Sequence, residues 1–234
     1  MMVNLRHRNA SLHERMDDPN ADPERLRRTY ARFVLINRLF AGWRRTYATR
    51  IHPFAAARGG RSIRILDVGC GGGDITRALE RWARRDGLAV EVTGVDPDPV
   101  AIAEARTSAR REGSTVRFVQ GLAGVLGTTY DIVVSNHVMH HIDDLPGFLD
   151  ETTGCCAPGG LVLHSDIERS HFAYASFSVL SLPLTPGTFI REDGLLSIRR
   201  SYNAPELQIT LPEPWHVTRQ APCRLLVHSV MPDA

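Results

Sequence analysis

Residues 63–74, Ile-Arg-Ile-Leu-Asp-Val-Gly-Cys-Gly-Gly-Gly-Asp, constrain the fold more than any other stretch of this chain. The apolar run from Ile63 to Val68 reads as a buried strand, and it delivers Asp67 and then glycines at 69, 71 and 73. Ile75, Leu79 and Trp82 follow at helical spacing. A strand that runs through glycines into a helix lets backbone approach a ligand, because no Cβ stands in the way. A second apolar run, 90–95, ends in Asp96, 29 residues after Asp67. An acid closing the second strand of a βαβ unit is placed to accept hydrogen bonds from ribose hydroxyls. The plainer alternative for Asp96-Pro97-Asp98-Pro99 is a turn.

The ligand expected is therefore an adenosine-type nucleotide. A dinucleotide fingerprint, G-x-G-x-x-G, would need glycine at position 74, where Asp74 stands. The spacing here is G-x-G-x-G, with an acid two residues before the first glycine. A cluster of acids is a poor bed for a pyrophosphate and a good one for a ligand carrying positive charge. S-adenosylmethionine, with its sulfonium, ammonium and ribose, fits that demand.

The rest of the core alternates between strand-like and helix-like runs: 63–68, 74–85, 90–95, 99–112, 116–120, 130–135, 145–155 and 161–165. Such alternation predicts a parallel sheet with helices on both faces. Ligands in these sheets sit beyond the carboxyl ends of the strands, where strand order reverses. The apolar runs 215–219 and 224–230 read as the final strands. Upstream, residues 1–22 read as a flexible lead-in. Asp22-Pro23-Glu24 is a helix start, with a cap, a proline at the first helical position and an acid in the first turn. That helix and a second one through about Phe54 form an N-terminal cap, whose arginine-rich face reads as solvated, with anionic lipid or an acidic substrate as the alternative.

At this point the chain resembles the class I SAM-dependent methyltransferases. The resemblance rests on Leu66-Asp67-Val68-Gly69-Cys70-Gly71-Gly72-Gly73-Asp74, Gly94-Val95-Asp96-Pro97, the segment Tyr130 to Asp143, and Pro158-Gly159-Gly160-Leu161-Val162-Leu163, in the family's order. It implies an α/β fold: a Rossmann-like, doubly wound sheet of seven strands whose last hairpin brings one antiparallel strand, with an N-terminal helical cap or lid over 1–58. The methyltransferase core would then be 59–234, with a substrate-covering insertion at about 166–205. The resemblance places Asp67, Gly69, Gly71 and Gly73 near the methionine end of S-adenosylmethionine. It places Asp96 on the ribose, Pro97 beside the adenine, and Asn136 where its backbone meets the ammonium. Many members carry an acid after the third strand to meet the adenine amino group. Leu122 stands there, so the backbone of Leu122 and Ala123 would have to serve.

Methyl transfer needs an aligned nucleophile and a dry site, because the cofactor brings the reactive bond. His137, His140 and His141 lie just past the fourth strand, followed by Asp143 and Asp144. One histidine could act as general base, since an imidazole of pKa about 6.5 can take the proton of a phenol of pKa about 10. His137, nearest the strand end, is the first candidate and His141 the second; Asp166, ending the fifth strand, would orient a histidine or bind a substrate hydroxyl. His-x-x-His-His beside acids is also ligand-rich, although no metal is assigned. The plain reading is packing against the cofactor. No G-x-S-x-G elbow supports a serine hydrolase.

Segments 166–174 and 193–202 resemble small bacterial methyltransferases of the ubiquinone and menaquinone type, which implies a small, apolar, aromatic acceptor, phenolic or quinol. O-methylation is the expected reaction. C-methylation, or a non-catalytic SAM-binding subunit, are the alternatives. Phe172, Tyr174, Phe177, Leu180, Leu182 and Leu184 are placed to roof an apolar pocket, and Arg199 and Arg200 to hold an anionic group or to lie in solvent. The net charge of +2 argues against a dedicated nucleic-acid binder, and all 28 basic residues are arginine. The stretch 172–190 is interrupted by Pro183, Pro186 and Gly187, which argues against a membrane span. No apolar leader precedes the core, and Cys70, Cys155, Cys156 and Cys223 lack disulfide or zinc spacing, so a cytoplasmic protein is expected. The oligomeric state stays open, with a homodimer as one option.

Overall fold

The computed structural model describes residues 3–233, apart from the side chains at 39 and 40. Its centre is a seven-stranded sheet built from β1 (Ile63–Val68), β2 (Val90–Asp96), β3 (Arg117–Gln120), β4 (Tyr130–Asn136), β5 (Cys156–Ile167), β6 (His216–Gln220) and β7 (Arg224–Val230). The order is β3-β2-β1-β4-β5-β7-β6, with β7 antiparallel to both neighbours and all other pairs parallel. Strand order reverses between β1 and β4, so their carboxyl ends open the crevice that such sheets use for ligands.

Side-chain alternation explains why both sheet faces are covered. Ile65, Ile132, Val134, Leu163 and Leu226 enter one buried cluster, while Leu66, Val133, Val162, Leu225 and Val227 enter the other. The covering helices include α4 (Asp74–Arg85), α5 (Pro99–Glu112) and α6 (Leu145–Gly154), each close to its expected span. The largest departure is β5, which begins at Cys156 rather than 161. Tyr130 pairs with Cys156 and Ile132 with Leu161, so a register shift takes in Pro158-Gly159-Gly160. Proline cannot donate to the ladder, and Gly159 turns the chain at φ +66°.

The cap consists of α1 (Pro23–Phe40), α2 (Trp43–Thr46), a π turn (Tyr47–Ile51) and α3 (His52–Ala56). Asp22 caps α1 by accepting the Arg25 N–H at 2.7 Å, as its sequence demanded. Between β5 and β6 come α7 (His171–Leu180), α8 (Ile190–Arg200) and α9 (Ala204–Thr210). No helix among the described residues is long and apolar enough to cross a membrane.

The described part of the lead-in, residues 3–22, is not loose. The buried Arg169 guanidinium donates to the carbonyls of Leu5 and Arg6 at 3.0 and 3.3 Å, and Arg8 donates to Arg200 O at 2.7 Å. Arg8 also lies 4.3 Å over the Tyr202 ring. These partners are 160 or more positions away, at |i−j| of 192, 164 and 163, which is why local composition read the segment as free.

Candidate active site

A cavity of about 960 Å³ opens beyond the carboxyl ends of β1, β2 and β4. Of the residues expected to bind cofactor, Asp67, Gly69, Gly71, Asp96, Pro97, Leu122, Ala123 and Asn136 line it. Gly73 does not. A Cβ there would collide with the Phe118 ring, and one at Gly69 would collide with Val138. Both positions also have left-handed backbone, at φ +70° and +67°. The glycine pattern therefore serves internal packing and a tight turn as much as ligand approach.

The three carboxylates beside the glycine turn share a common condition: each is desolvated and none has a cation within ion-pair distance among the described residues. Asp67 is 1 % exposed; Thr76 donates to its Oδ2 at 2.6 Å, and its Oδ1 has no hydrogen-bond partner. Burial, with Asp74 and Asp96 nearby, pushes its carboxyl up to about 7. Asp96 accepts the N–H groups of Gly71 and Asp98 at 2.8 and 2.9 Å, and burial raises it as well. Asp74 takes the Asn37 amide at 3.0 Å and is raised by burial. None of the three forms an ion pair among the described residues. A buried carboxylate without a counter-charge is costly, and a cationic ligand relieves that cost.

The other end of the cavity is the reverse. His140 is 1 % exposed, with Asp166 Oδ1 at 2.9 Å from Nδ1 and Glu14 Oε1 at 3.4 Å from Nε2. Burial opposes its charge, but Asp166 and Glu14 prevail and push it up to about 10. Burial works against ionising Asp166 too, yet His140 and His137 hold it well below the ordinary carboxylate range. Glu14 is lowered in the same way by His140 and His141, and Asp17 by His141 and Arg200. Asp193 is the exception: burial raises it to about 6, and it is satisfied by backbone N–H groups instead.

His137, expected as the base, is already engaged at both ring nitrogens. Arg224 Nη1 donates to Nε2 at 2.7 Å, and Nδ1 lies 3.5 Å from Asp166 Oδ1. Burial and the Arg224 charge bring it down to about 4. Its backbone is left-handed at φ +59°, held by its N–H on Ser165 O at 2.9 Å. Its accessible surface, 26 % of the side chain, lies on a ring that lines the cavity. Asp166 stands behind the histidines and does not line the cavity. The Asn136 side chain is likewise occupied, its Oδ1 accepting from Trp43 and Arg224 at 2.8 and 2.7 Å. His141 also lines the cavity and is 29 % exposed at its side chain, with Nδ1 3.2 Å from Asp17 Oδ2 and Nε2 3.8 Å from Glu14 Oε2.

Glu14, His140 and His141 bring one ligand-type atom each within 4.8 Å of one another, as do His137, His140 and Asp166. His140 belongs to both sets, and a protonated imidazole offers a metal no lone pair. As they stand, both sets are ion-pair networks.

Several wall residues gave no sequence signal. Glu14, Met16 and Asp17 come from the strap, Phe33 and Ile36 from α1, and Ser197 from α8. The apolar roof is narrower than expected. Of the six side chains proposed for it, only Phe177 lines the cavity, while Phe172, Leu180 and Leu182 are exposed. Arg200 meets Glu14 and Asp17 at 3.6 and 3.3 Å, and neither it nor Arg199 lines the cavity. Leu122 is exposed at the opposite end. Close by, Glu151 of α6 lines the cavity and accepts the Gly124 N–H at 3.3 Å.

An α/β sheet of this order, with a glycine turn and acids at the switch point, defines a class I SAM-dependent methyltransferase. The methyltransferase-domain family matches residues 40–208, and the chain belongs to that family. It is 32 % identical over 127 residues to the ubiquinone biosynthesis O-methyltransferase of Azorhizobium caulinodans, covering 53 % of this chain and 48 % of that protein. It is 33 % identical over 124 residues to the enzyme of the same name from Rhizobium johnstonii, covering 51 % and 47 %. The matches thus span about half the length of these relatives. Among solved structures, the plantazolicin methyltransferase BpumL in complex with SAH superposes with a TM-score of 0.58 at 15 % identity, covering 90 % of this chain and 95 % of that one. Magnesium protoporphyrin IX methyltransferase from Synechocystis PCC 6803 gives 0.54 at 14 %, covering 86 % and 92 %. Both share the fold.

Proposed function

We propose that this protein methylates a hydroxyl of a small, uncharged, apolar aromatic acceptor, phenolic or quinol, with His141 as general base. The observation that carries this reading is the charge asymmetry of the cavity. Its cofactor end holds desolvated carboxylates that form no ion pair among the described residues, and its acceptor end is compensated internally. Among the described residues no arginine lines the cavity, although the chain has 28 basic residues, all arginine. A carboxylated or phosphorylated acceptor would meet acids, and the one cationic side chain there among the described residues, His140, is already paired with Asp166 and Glu14.

Bound S-adenosylmethionine supplies a methyl group on a positively charged sulfur. Asp67 and Asp74 compensate that ligand's positive charge, and Asp96 accepts from the ribose. Glu151 takes the part of the acid missing at position 122 and accepts from the adenine amino group. Phe33, Ile36, Phe177 and Ile190 exclude water from an apolar acceptor. His141 would accept the acceptor's hydroxyl proton at Nε2 while Asp17 holds Nδ1, leaving the oxygen free to receive the methyl group that the cofactor supplies. The relatives named for ubiquinone O-methylation support the choice of oxygen over carbon.

The test is an assay with S-adenosylmethionine and paired acceptors, neutral catechols against their carboxylated analogues, on wild type and His141→Ala. The expected result is turnover of the neutral series, lowered about 10²-fold in His141→Ala at unchanged SAM affinity. Preference for the carboxylated series, or wild-type turnover by His141→Ala, contradicts it. SAM binding with no turnover of any acceptor would favour the non-catalytic subunit.

A further inference from the structure

The residue that orients His141 is not part of the methyltransferase core. Asp17 lies on the strap that precedes α1, together with Glu14, which is 3 % exposed. Between positions 10 and 21 the strap backbone makes few bonds of its own: Asp17 N to Glu14 O, Asp18 N to Arg15 O, Ala21 N to Asp18 O and Asn20 N to Asp18 Oδ1. Among the described residues, its only backbone bonds to the body of the protein go to one side chain. Asp193, in the first turn of α8, accepts the Arg15 N–H on Oδ1 at 2.8 Å and the Met16 N–H on Oδ2 at 3.0 Å. It is 3 % exposed and forms no ion pair among the described residues. A carboxylate buried in this way is justified by the two donors it receives.

We propose that Asp193 is a positioning residue that seats the strap over the acceptor end, so that Asp17 orients His141 only when the strap is down. The part concerning Asp17 rests on the reading of His141 as base; the seat itself does not. The arrangement has a clear logic. Upstream the chain is pinned at residues 5–9 by Arg169, Arg8 and the Asn9 N–H on Arg199 O, and downstream it enters α1. The stretch between them is a loop tied at both ends and fastened in its middle. Release of the middle uncovers Met16, Asp17 and Asp18, which are part of the cavity wall, without unravelling the fold. An acceptor would then enter beside α8, and reseating would return Asp17 to His141 and Glu14 to His140.

The geometry makes asparagine a sharp probe. Both Asp193 oxygens are used, and Asp193→Asn replaces one acceptor with a donor that faces a backbone N–H. The experiment compares wild type, Asp193→Asn and Asp17→Asn. It measures trypsin cleavage after the exposed Arg15, SAM affinity by calorimetry, and kcat and KM with a neutral catechol. Asp193→Asn is expected to speed cleavage after Arg15 and to lower kcat, each by at least about tenfold, the equivalent of one charge-assisted hydrogen bond. SAM affinity should stay within about twofold. Asp17→Asn, on a half-exposed side chain, should lower kcat to a similar degree while cleavage stays at the wild-type rate. Wild-type cleavage in Asp193→Asn would overturn the seat, and faster cleavage with unchanged kcat would overturn its link to catalysis. If wild type turns over no phenol, the proposed function fails, and the seat stands or falls on cleavage alone.

Discussion

The two ends of the cavity are built from the same residue types and arrive at opposite charge states. At the end beside the glycine turn, Asp67 and Asp96 are buried and Asp74 half-buried, with hydroxyl, backbone and amide partners, and desolvation raises all three. At the acceptor end, Glu14 and Asp166 pair with His140 and Asp17 with Arg200, and all three are lowered. The first arrangement leaves a charge deficit for a ligand to fill; the second has none left to offer. A carboxylate is thus not informative by its presence, but by what already compensates it.

The most severe test of this contrast is His140→Ala. It strips the shared counter-charge from two buried carboxylates and should cost about 3–5 kcal/mol in denaturant unfolding. His141→Ala, one residue along but part-exposed, should cost under about 1 kcal/mol while lowering turnover about 10²-fold. Equal losses would erase the distinction between the two histidines.

Asp67→Asn tests the other end. The Asp67 carboxyl lies near 7 in the folded chain and at the ordinary 3.8 when unfolded. Folding therefore takes up a proton between those values, and stability falls as pH rises through that window. Removing the charge should stabilise the ligand-free protein at pH 8 by up to about 4 kcal/mol, with the gain vanishing near pH 4. SAM binding should be lost in the same variant. Thermal melts at the two pH values, with calorimetry, check both. A smaller effect is expected at Glu151: Glu151→Ala should weaken SAM binding by about 1 kcal/mol, roughly fivefold, by calorimetric titration.

The sheet was legible because its signals are local. The apolar run from Ile63 to Val68, the glycines after it and Asp96 lie within a few dozen residues of one another, and each constrains backbone directly. The acceptor end was not legible. Arg224 reaches His137 across 87 positions, and Asp193 reaches Arg15 across 178. Nothing near His137 in the sequence tells that Nε2 is occupied, or that its backbone turns left-handed. The strap was misjudged for the same reason, since its polar composition suits solvent and ion pairs equally well. Phe172, Leu180 and Leu182 show the converse: apolar character alone does not say whether a side chain faces the cavity, because one face of α7 already suffices to bury Ala173 and Phe177.

The central claim, that the cofactor end awaits a cation, is tested most directly by calorimetric titration with S-adenosylmethionine from pH 6 to pH 8, with NADH as control. The expected result is binding that tightens as pH rises through about 7, with a proton released on binding near the lower end and no binding of NADH. Affinity that does not change across this range, or binding of NADH, would contradict it.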